Sequence, residues 1–437
     1  MPLLRMFLAI YKDAMQMHVL RTHLNDHPKG KSKMPEPLSE QTIAIVKATV
    51  PVLAEYGTAT TAAMYARLFK DPKIRALFNH SNQGESGTQV NALANAILAY
   101  AKNIDNLSVL LPVVERISQK HIGYHILAEH YPFVATALLD AISEVLGSAA
   151  TPEILAAWGE AYWFLANIMI EREATIRQEI ETTTGGWNGW RKFLICSKVP
   201  ESEVVTSFIL KPLDGGRVIP HRPGQYLTFR FSLADGSDLK RNYSISSAPS
   251  DEYYRISVKR EAKGNGGSLF LHDISAVGDT VEATPPAGDF YLDETSTKPV
   301  VLLSGGVGLT PMVSMLEAIA DRHPDRETYF VHGAMNSSMH AMDRHVRDLA
   351  DNHGKTTVRT FYSEPHWSDE AGRTHDHDGF ISVDWLKVNT PFETADFYLC
   401  GPKPFLRALV RQLYSAGVSA SRIHFELFGP TDELMAA

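Results

Sequence analysis

Three polar residues recur where a helical pattern is otherwise apolar. His121 falls on the stripe Val113, Ile117, His121, Tyr124; Gln89 joins Leu93, Ala96 and Tyr100; Glu173 joins Met169, Ile176 and Ile180. An imidazole in such a place needs a partner or a metal to offset its desolvation. A metal ligand and a core histidine satisfied by hydrogen bonds both meet that need, but polar groups repeated on inner faces point to a site. Far downstream, Leu303-Ser304-Gly305-Gly306-Val307-Gly308-Leu309-Thr310-Pro311 joins an apolar strand to a helix. Its glycines let backbone amides approach a pyrophosphate, and Pro311 suits a first helical turn. The run departs from G-x-G-x-x-G, which weakens a doubly wound dehydrogenase reading. His375-Asp376-His377-Asp378 alternates residue types that can bind a metal at a surface, but in a polar, glycine-flanked loop a metal site is not expected.

Three blocks must position these residues. Residues 37–183 are helical by periodicity throughout; residues 187–296 carry short strands such as Val204 to Leu210, Gln225 to Phe231, Asn242 to Ser246 and Tyr253 to Val258, which predict an antiparallel barrel. In residues 298–437 apolar strands (Val300 to Leu303, Thr328 to His332, Phe397 to Cys400) alternate with helical segments (Pro311 to Ala320, Phe405 to Ala416), which predicts an α/β nucleotide-binding unit with a parallel sheet. Residues 1–36 end in a basic stretch rich in helix breakers, His27 to Pro37, and read as a disordered or mis-started extension, with Met34 as an alternative start. The fold class is thus multidomain: all-α, then antiparallel β, then α/β.

Composition narrows the function. The 437 residues hold 42 Lys+Arg against 50 Asp+Glu, a net charge of -8, which argues against a nucleic-acid partner. Cys196 and Cys400 are the only cysteines, so no disulfide framework exists and a reducing, cytoplasmic setting is expected. Pro299 to Leu316, uncharged and about long enough to span a bilayer, carries two prolines and three glycines, so stable membrane insertion is not expected.

The order and spacing of Thr61-Ala62-Ala63-Met64-Tyr65, Leu77-Phe78-Asn79-His80-Ser81-Asn82-Gln83, Gln89 and Gln119-Lys120-His121 resemble the globin domain of the flavohaemoglobin family, and the resemblance runs from about Ser39 to the carboxyl end. It implies haem b with His121 as proximal iron ligand, Tyr65, Gln89 and Leu93 lining the distal pocket, and Phe78 packing on the porphyrin. One protein ligand leaves a haem position free for a diatomic gas, whose partly anionic form a Tyr hydroxyl and a Gln amide can hydrogen-bond. Glu173, with Tyr131, would hold the other ring N–H of His121 and give the imidazole anionic character. Lys120 matches the family's lysine beside the ligand.

The second half is similar to ferredoxin-NADP-reductase-like proteins. Arg241-Asn242-Tyr243-Ser244 resembles their Arg-x-Tyr-Ser flavin motif, preceded by Pro223-Gly224-Gln225-Tyr226 and followed by Val258-Lys259-Arg260 and Gly266-Gly267-Ser268. The resemblance implies FAD, with Arg241 on its pyrophosphate, Tyr243 and Tyr226 on its ring system, Ser244 near its reactive nitrogen, and Asn242 and Lys259 as further contacts. Gly306, Val307, Gly308, Leu309, Thr310 and Pro311 look like the family's nicotinamide-nucleotide turn, and Cys400 and Gly401 like its nicotinamide-side strand end. Phe425-Glu426-Leu427-Phe428-Gly429-Pro430 resembles its closing segment, with Phe428 covering the flavin, Glu426 between flavin and haem, and Leu427, Gly429 and Pro430 beside them. Leu427 stands where that family often has cysteine, with no loss of function expected. His332-Gly333-Ala334-Met335-Asn336 offers neither a carboxylate for a ribose hydroxyl nor an arginine for a 2'-phosphate, so NADH and NADPH both stay open.

The implied activity is an NAD(P)H-dependent nitric oxide dioxygenase acting on O2 and NO as a cytoplasmic monomer. A haem-based O2 or NO sensor, and a reductase acting on peroxides, flavins or ferric chelates, are the alternatives.

Overall fold

A computed structural model of the chain describes residues 37–78, 88–233, 238–264 and 266–428. The 1–36 extension, part of the Leu77 to Gln83 run, and Gly429 and Pro430 lie outside the described residues. The first block comprises α1 (Glu40–Ala48), α2 (Val50–Leu68), α3 (Pro72–Arg75), α4 (Thr88–Lys102), α5 (Leu111–Gly123), α6 (Tyr131–Leu146) and α7 (Pro152–Thr182). Hydroxyls start two of them: Ser39 Oγ accepts from Thr42 N at 3.0 Å and Thr151 Oγ1 from Ile154 N at 3.4 Å. Proline in the first turn of α2, α5, α6 and α7 costs nothing, because the N–H it lacks would have no partner there.

The helices pack on Met64, Leu68, Tyr100, Ala101, Leu138, Ala141, Trp158 and Ala161. Two buried side chains in this core find partners: Tyr100 Oη donates to Ala161 O at 2.7 Å and Trp158 Nε1 to Thr49 Oγ1 at 3.2 Å. One expected inner position is corrected. Val113 is 39% exposed, because the helical angle brings Val114, Ile117 and His121 onto the inner face and leaves Val113 at its edge. The stretch Ala128–Ala149 is long and apolar enough to cross a membrane by length and composition alone, yet its Ala135, Leu138, Ala141 and Ile142 are buried in the protein.

The second block holds β1 (Arg191–Pro200), β2 (Val205–Pro212), β3 (Tyr226–Ser232), β4 (Asp238–Ser244), β5 (Tyr254–Lys259) and β6 (Thr280–Ala283) in an antiparallel sheet of order β4-β3-β6-β1-β2-β5. A bridge between Ile245 and Ile256 brings its two edges together, curling it into a barrel around Phe193, Phe208, Phe229, Phe231 and Ile256.

The third block runs β7 (Val300–Gly305), α8 (Leu309–Arg322), β8 (Thr328–Ala334), α9 (Asp343–His353), β9 (Thr356–Tyr362), β10 (His377–Asp378), α10 (Val383–Asn389), β11 (Asp396–Cys400), α11 (Lys403–Ser415) and β12 (Ile423–Glu426). Its sheet is parallel with order β10-β9-β8-β7-β11-β12. Both faces are covered, by Met312, Leu316 and Val346 on one side and Leu386, Leu406 and Leu409 on the other. The chain builds outward from β7 to β10 and then returns to add β11 on β7's other side. That reversal opens a crevice at the carboxyl ends of β7 and β11.

Candidate functional site

His121 stands near the end of α5, facing α7. Its Nδ1 lies 2.7 Å from Glu173 Oε1 and 3.1 Å from Tyr131 Oη, and Tyr131 Oη donates to the same carboxylate oxygen at 2.5 Å. Tyrosine has one proton and gives it to Glu173, so Nδ1 must carry the proton that reaches both. Nε2 is left with its lone pair and has no hydrogen-bond partner among the described residues. Glu173 is fully buried, and Arg177 stands 3.8 Å from its other oxygen. Burial, then the Glu173 charge and hydrogen bond, push the Tyr131 phenol far up, so it remains a donor.

On α2, Tyr65 stacks on Phe69 at 5.4 Å and meets Phe78 edge-on at 5.7 Å, with Leu93 partly buried in the same cluster. Burial raises the Tyr65 hydroxyl to about 12, with the Gln89 amide opposing part of the shift. Gln89 Oε1 is buried without a protein partner. Tyr65, Phe78 and Leu93 form one apolar cluster and Tyr131, Val114 and Ile117 another, with Tyr162 and Leu165 touching both. A free imidazole nitrogen and an orphaned amide oxygen in apolar surroundings suit a haem held by one protein ligand.

In the barrel, register pairs Tyr226 with Ser244 and Phe229 with Arg241. Strand alternation therefore puts Arg241 and Tyr243 on one face, and Asn242 and Ser244 with Tyr226 on the other. Arg241 and Tyr243 press on the 266–268 turn: a Cβ on Gly267 would stand 2.5 Å from Arg241 Cγ and 3.0 Å from Tyr243 Oη. Lys259 reaches the same turn through Glu261, which pairs with its Nζ at 2.6 Å and donates N–H to Ser268 Oγ at 3.1 Å. Burial lowers the Arg241 guanidinium and raises the Tyr226 and Tyr243 phenols. A partly buried guanidinium at a glycine-opened turn, with a tyrosine on each strand face, suits a flavin nucleotide.

In the parallel sheet, β7 passes through Gly306 (φ +53°), Val307 and Gly308 into α8, where Leu309, Thr310 and Pro311 are buried and Thr310 Oγ1 donates to Val307 O at 3.1 Å. Gly308 allows no side chain, since a Cβ would stand 2.2 Å from Cys400 O and 2.6 Å from Gly401 N. The two turns expected from sequence thus meet at the crevice. Register continues the row, pairing Ser304 with Cys400 and Cys400 with Glu426. Burial and then Glu426 push the Cys400 thiol well up, so it is not a thiolate. Glu426 itself is raised to about 7 by burial and Asp289, against the opposing pull of Arg116 and Lys120 on α5. Leu427 packs under the parallel sheet and Phe428 is half exposed.

His375 is buried, stacked on Tyr362 at 4.4 Å and bonded through Nε2 to Asp378 Oδ1 at 2.6 Å. Among the described residues no group of three His, Cys, Asp or Glu could hold a metal.

Two neighbours of the site lie outside the segments singled out in sequence. Phe69 and Arg177 each stand four residues beyond a motif residue, so helical spacing could have found them. His332 opens the segment read for nucleotide preference, but its bond to Ser304 Oγ at 2.8 Å, with Nε2 buried and unpartnered, joins two strands and leaves no local signal.

The family model described as Globin matches residues 62–169, and the one described as Oxidoreductase NAD-binding domain matches residues 302–411. A flavohemoprotein of Xylella fastidiosa is 58% identical over 399 residues, covering 91% of this chain and 99% of the relative. One from Bacillus thuringiensis is 46% identical over 404 residues, covering 91% and 100%. The crystal structure of flavohemoglobin from Malassezia yamatoensis with bound FAD and heme superposes with a TM-score of 0.80 at 27% identity, over 90% of this chain and 100% of that one. The flavohem-like FAD/NAD-binding domain of nitric oxide dioxygenase from Vibrio cholerae gives 0.50 at 35% identity, over 55% and 99%.

Proposed function

The chain belongs to the flavohaemoprotein family and is an NAD(P)H-dependent oxidoreductase using haem and FAD, and from that premise we propose that its reaction is nitric oxide dioxygenation. Two NO, two O2 and one NAD(P)H would give two nitrate ions, NAD(P)+ and a proton. Haem would supply the site for the gas, and FAD would turn a two-electron hydride donor into a source of single electrons.

The chain's own residues would share the remaining work. The Gly306 to Pro311 turn and the Cys400–Gly401 strand end would hold the nicotinamide nucleotide, and Asn242 and Lys259 would be further flavin contacts. Arg241 would bind the flavin pyrophosphate, Tyr226 and Tyr243 would flank its rings, and Phe428 would shield it from water. Tyr65 would donate a hydrogen bond to a gas acquiring negative charge, and Gln89 and Leu93 would shape the space around it. The observation that carries the reading is the His121 Nδ1 contact with Glu173 at 2.7 Å. An imidazole made more anionic by a buried carboxylate favours activation of dioxygen over storage.

The test starts from the visible spectrum under carbon monoxide without oxygen, with NADH and NADPH added in parallel. Flavin bleaching followed by a ferrous carbonyl band demonstrates the electron path. Aerobic NO consumption matched one-for-one by nitrate then establishes the reaction. Flavin bleaching without haem reduction in a haem-loaded sample would overturn it in favour of a reductase or a sensor.

A further inference from the structure

Helix α5 ends at Gly123, two residues after His121, where helix geometry leaves the last carbonyls without intrahelical partners. Gly123 O is instead met by Thr284 Oγ1, which donates to it at 2.9 Å from 161 residues away and is itself fully buried. Thr284 N donates to Thr228 O at 3.0 Å, and Tyr226 and Ala287 exchange both backbone hydrogen bonds at 3.0 Å. The donor is therefore built into the strand pair that carries Tyr226. Gly123 approaches that strand only for want of a side chain: a Cβ would stand 2.7 Å from Thr228 Oγ1 and 3.5 Å from the Tyr226 ring. Arg116, two turns earlier on α5, meets Asp289 at 3.1 Å, but the arginine is 52% exposed, where water screens the pair.

We propose that Gly123 and Thr284 form the seat that fixes α5, and His121 with it, on the strand carrying Tyr226, so that Thr284 is a positioning residue for single-electron passage from flavin to haem. The inference rests on the oxidoreductase reading above. In each passage the reduced flavin loses one electron and ferric iron becomes ferrous, and no bond to Thr284 forms or breaks. The rate then depends on the separation and stiffness that the protein maintains, and the buried hydrogen bond carries more of that docking than the exposed ion pair.

Thr284→Val keeps the shape and removes the donor, whereas Thr284→Ser keeps the donor. Amide hydrogen exchange over residues 119–126 of the holoenzyme reads docking independently of activity. Exchange there rises roughly tenfold in Thr284→Val, the shift matching a lost buried hydrogen bond, and returns toward the unmutated rate in Thr284→Ser. Anaerobic stopped flow with NADH under carbon monoxide reads flavin bleaching and ferrous carbonyl formation separately. Bleaching keeps its rate in both variants; carbonyl formation slows several-fold in Thr284→Val and recovers in Thr284→Ser. Gly123→Ala wedges the seat from the helix side and has the same effect, which covers poor folding of Thr284→Val. Carbonyl formation at the unmutated rate in Thr284→Val and Gly123→Ala, or slowed equally in the Val and Ser variants, overturns this proposal alone. Failure of NADH to reduce haem in the unmutated, haem-loaded chain overturns the underlying reading with it.

Discussion

His121 Nδ1 and Glu173 Oε1 stand 2.7 Å apart across 52 residues of sequence, inside a triangle closed by the Tyr131 hydroxyl. The carboxylate determines which imidazole nitrogen is protonated, and so which keeps a free lone pair. Glu173→Gln keeps the volume and removes the charge. Turnover of NO should fall about ten- to hundredfold with haem retained. The iron–histidine stretch in the Raman spectrum of the reduced protein should move to lower frequency, and an unmoved band would reject the role.

Tyr65 is buried and its hydroxyl is raised to about 12, so it stays a proton donor across working pH. Tyr65→Phe should speed dioxygen release roughly tenfold, the worth of one lost hydrogen bond to a charged partner. Carbon monoxide, which develops little negative charge, should bind nearly as before. Flash photolysis measures both, and an unaltered oxygen off-rate would remove Tyr65 from the distal role.

Gly308 touches the Cys400 carbonyl so closely that Gly308→Ala must push β7 and β11 apart. Overpacking of this kind costs about 1–3 kcal/mol. The purified variant should hold its full complement of flavin while its KM for NADH in ferric-chelate reduction rises. An unchanged KM would show that the nucleotide does not use this turn.

Lys240 is 8% exposed and lies with Arg230 over the Trp190 ring; burial, then Arg230, pull its amine down to about 8. An unfolded lysine titrates near ~10.4. Between those values the folded state binds fewer protons than the unfolded one, so stability rises as pH climbs from about 8 to about 10.4. Below about 8 the buried charge is a full cost. Lys240→Met should therefore be more stable than the unmutated protein at neutral pH, with the gain shrinking above pH 8. Urea midpoints across that range check it, and a gain independent of pH would show that the charge is not its source.

Features that repeat over a few residues are legible in the amino-acid sequence itself. Helical spacing puts His121, Gln89 and Glu173 on inner faces, strand alternation puts Arg241 and Tyr243 together, and the glycine turn announces itself by composition. Each of these depends on backbone geometry repeating over one or two turns, which neighbouring residues impose on one another. Val113 shows the limit, since a stripe's edge and its centre look alike in sequence and part only when another helix covers one of them. The seat of Gly123 on Thr284, the reach of Glu426 toward Arg116 and Lys120, and the contact of Gly308 with Cys400 belong to a different class. They join segments with no local signal in common, and packing between separately folded layers decides them. The sequence alone determined three kinds of domain and the chemistry each could hold. Only the tertiary structure decided that the helix bearing His121 lies against the strand bearing Tyr226, because close contact between distant segments depends on the shapes of whole surfaces and on the few glycines that let them meet.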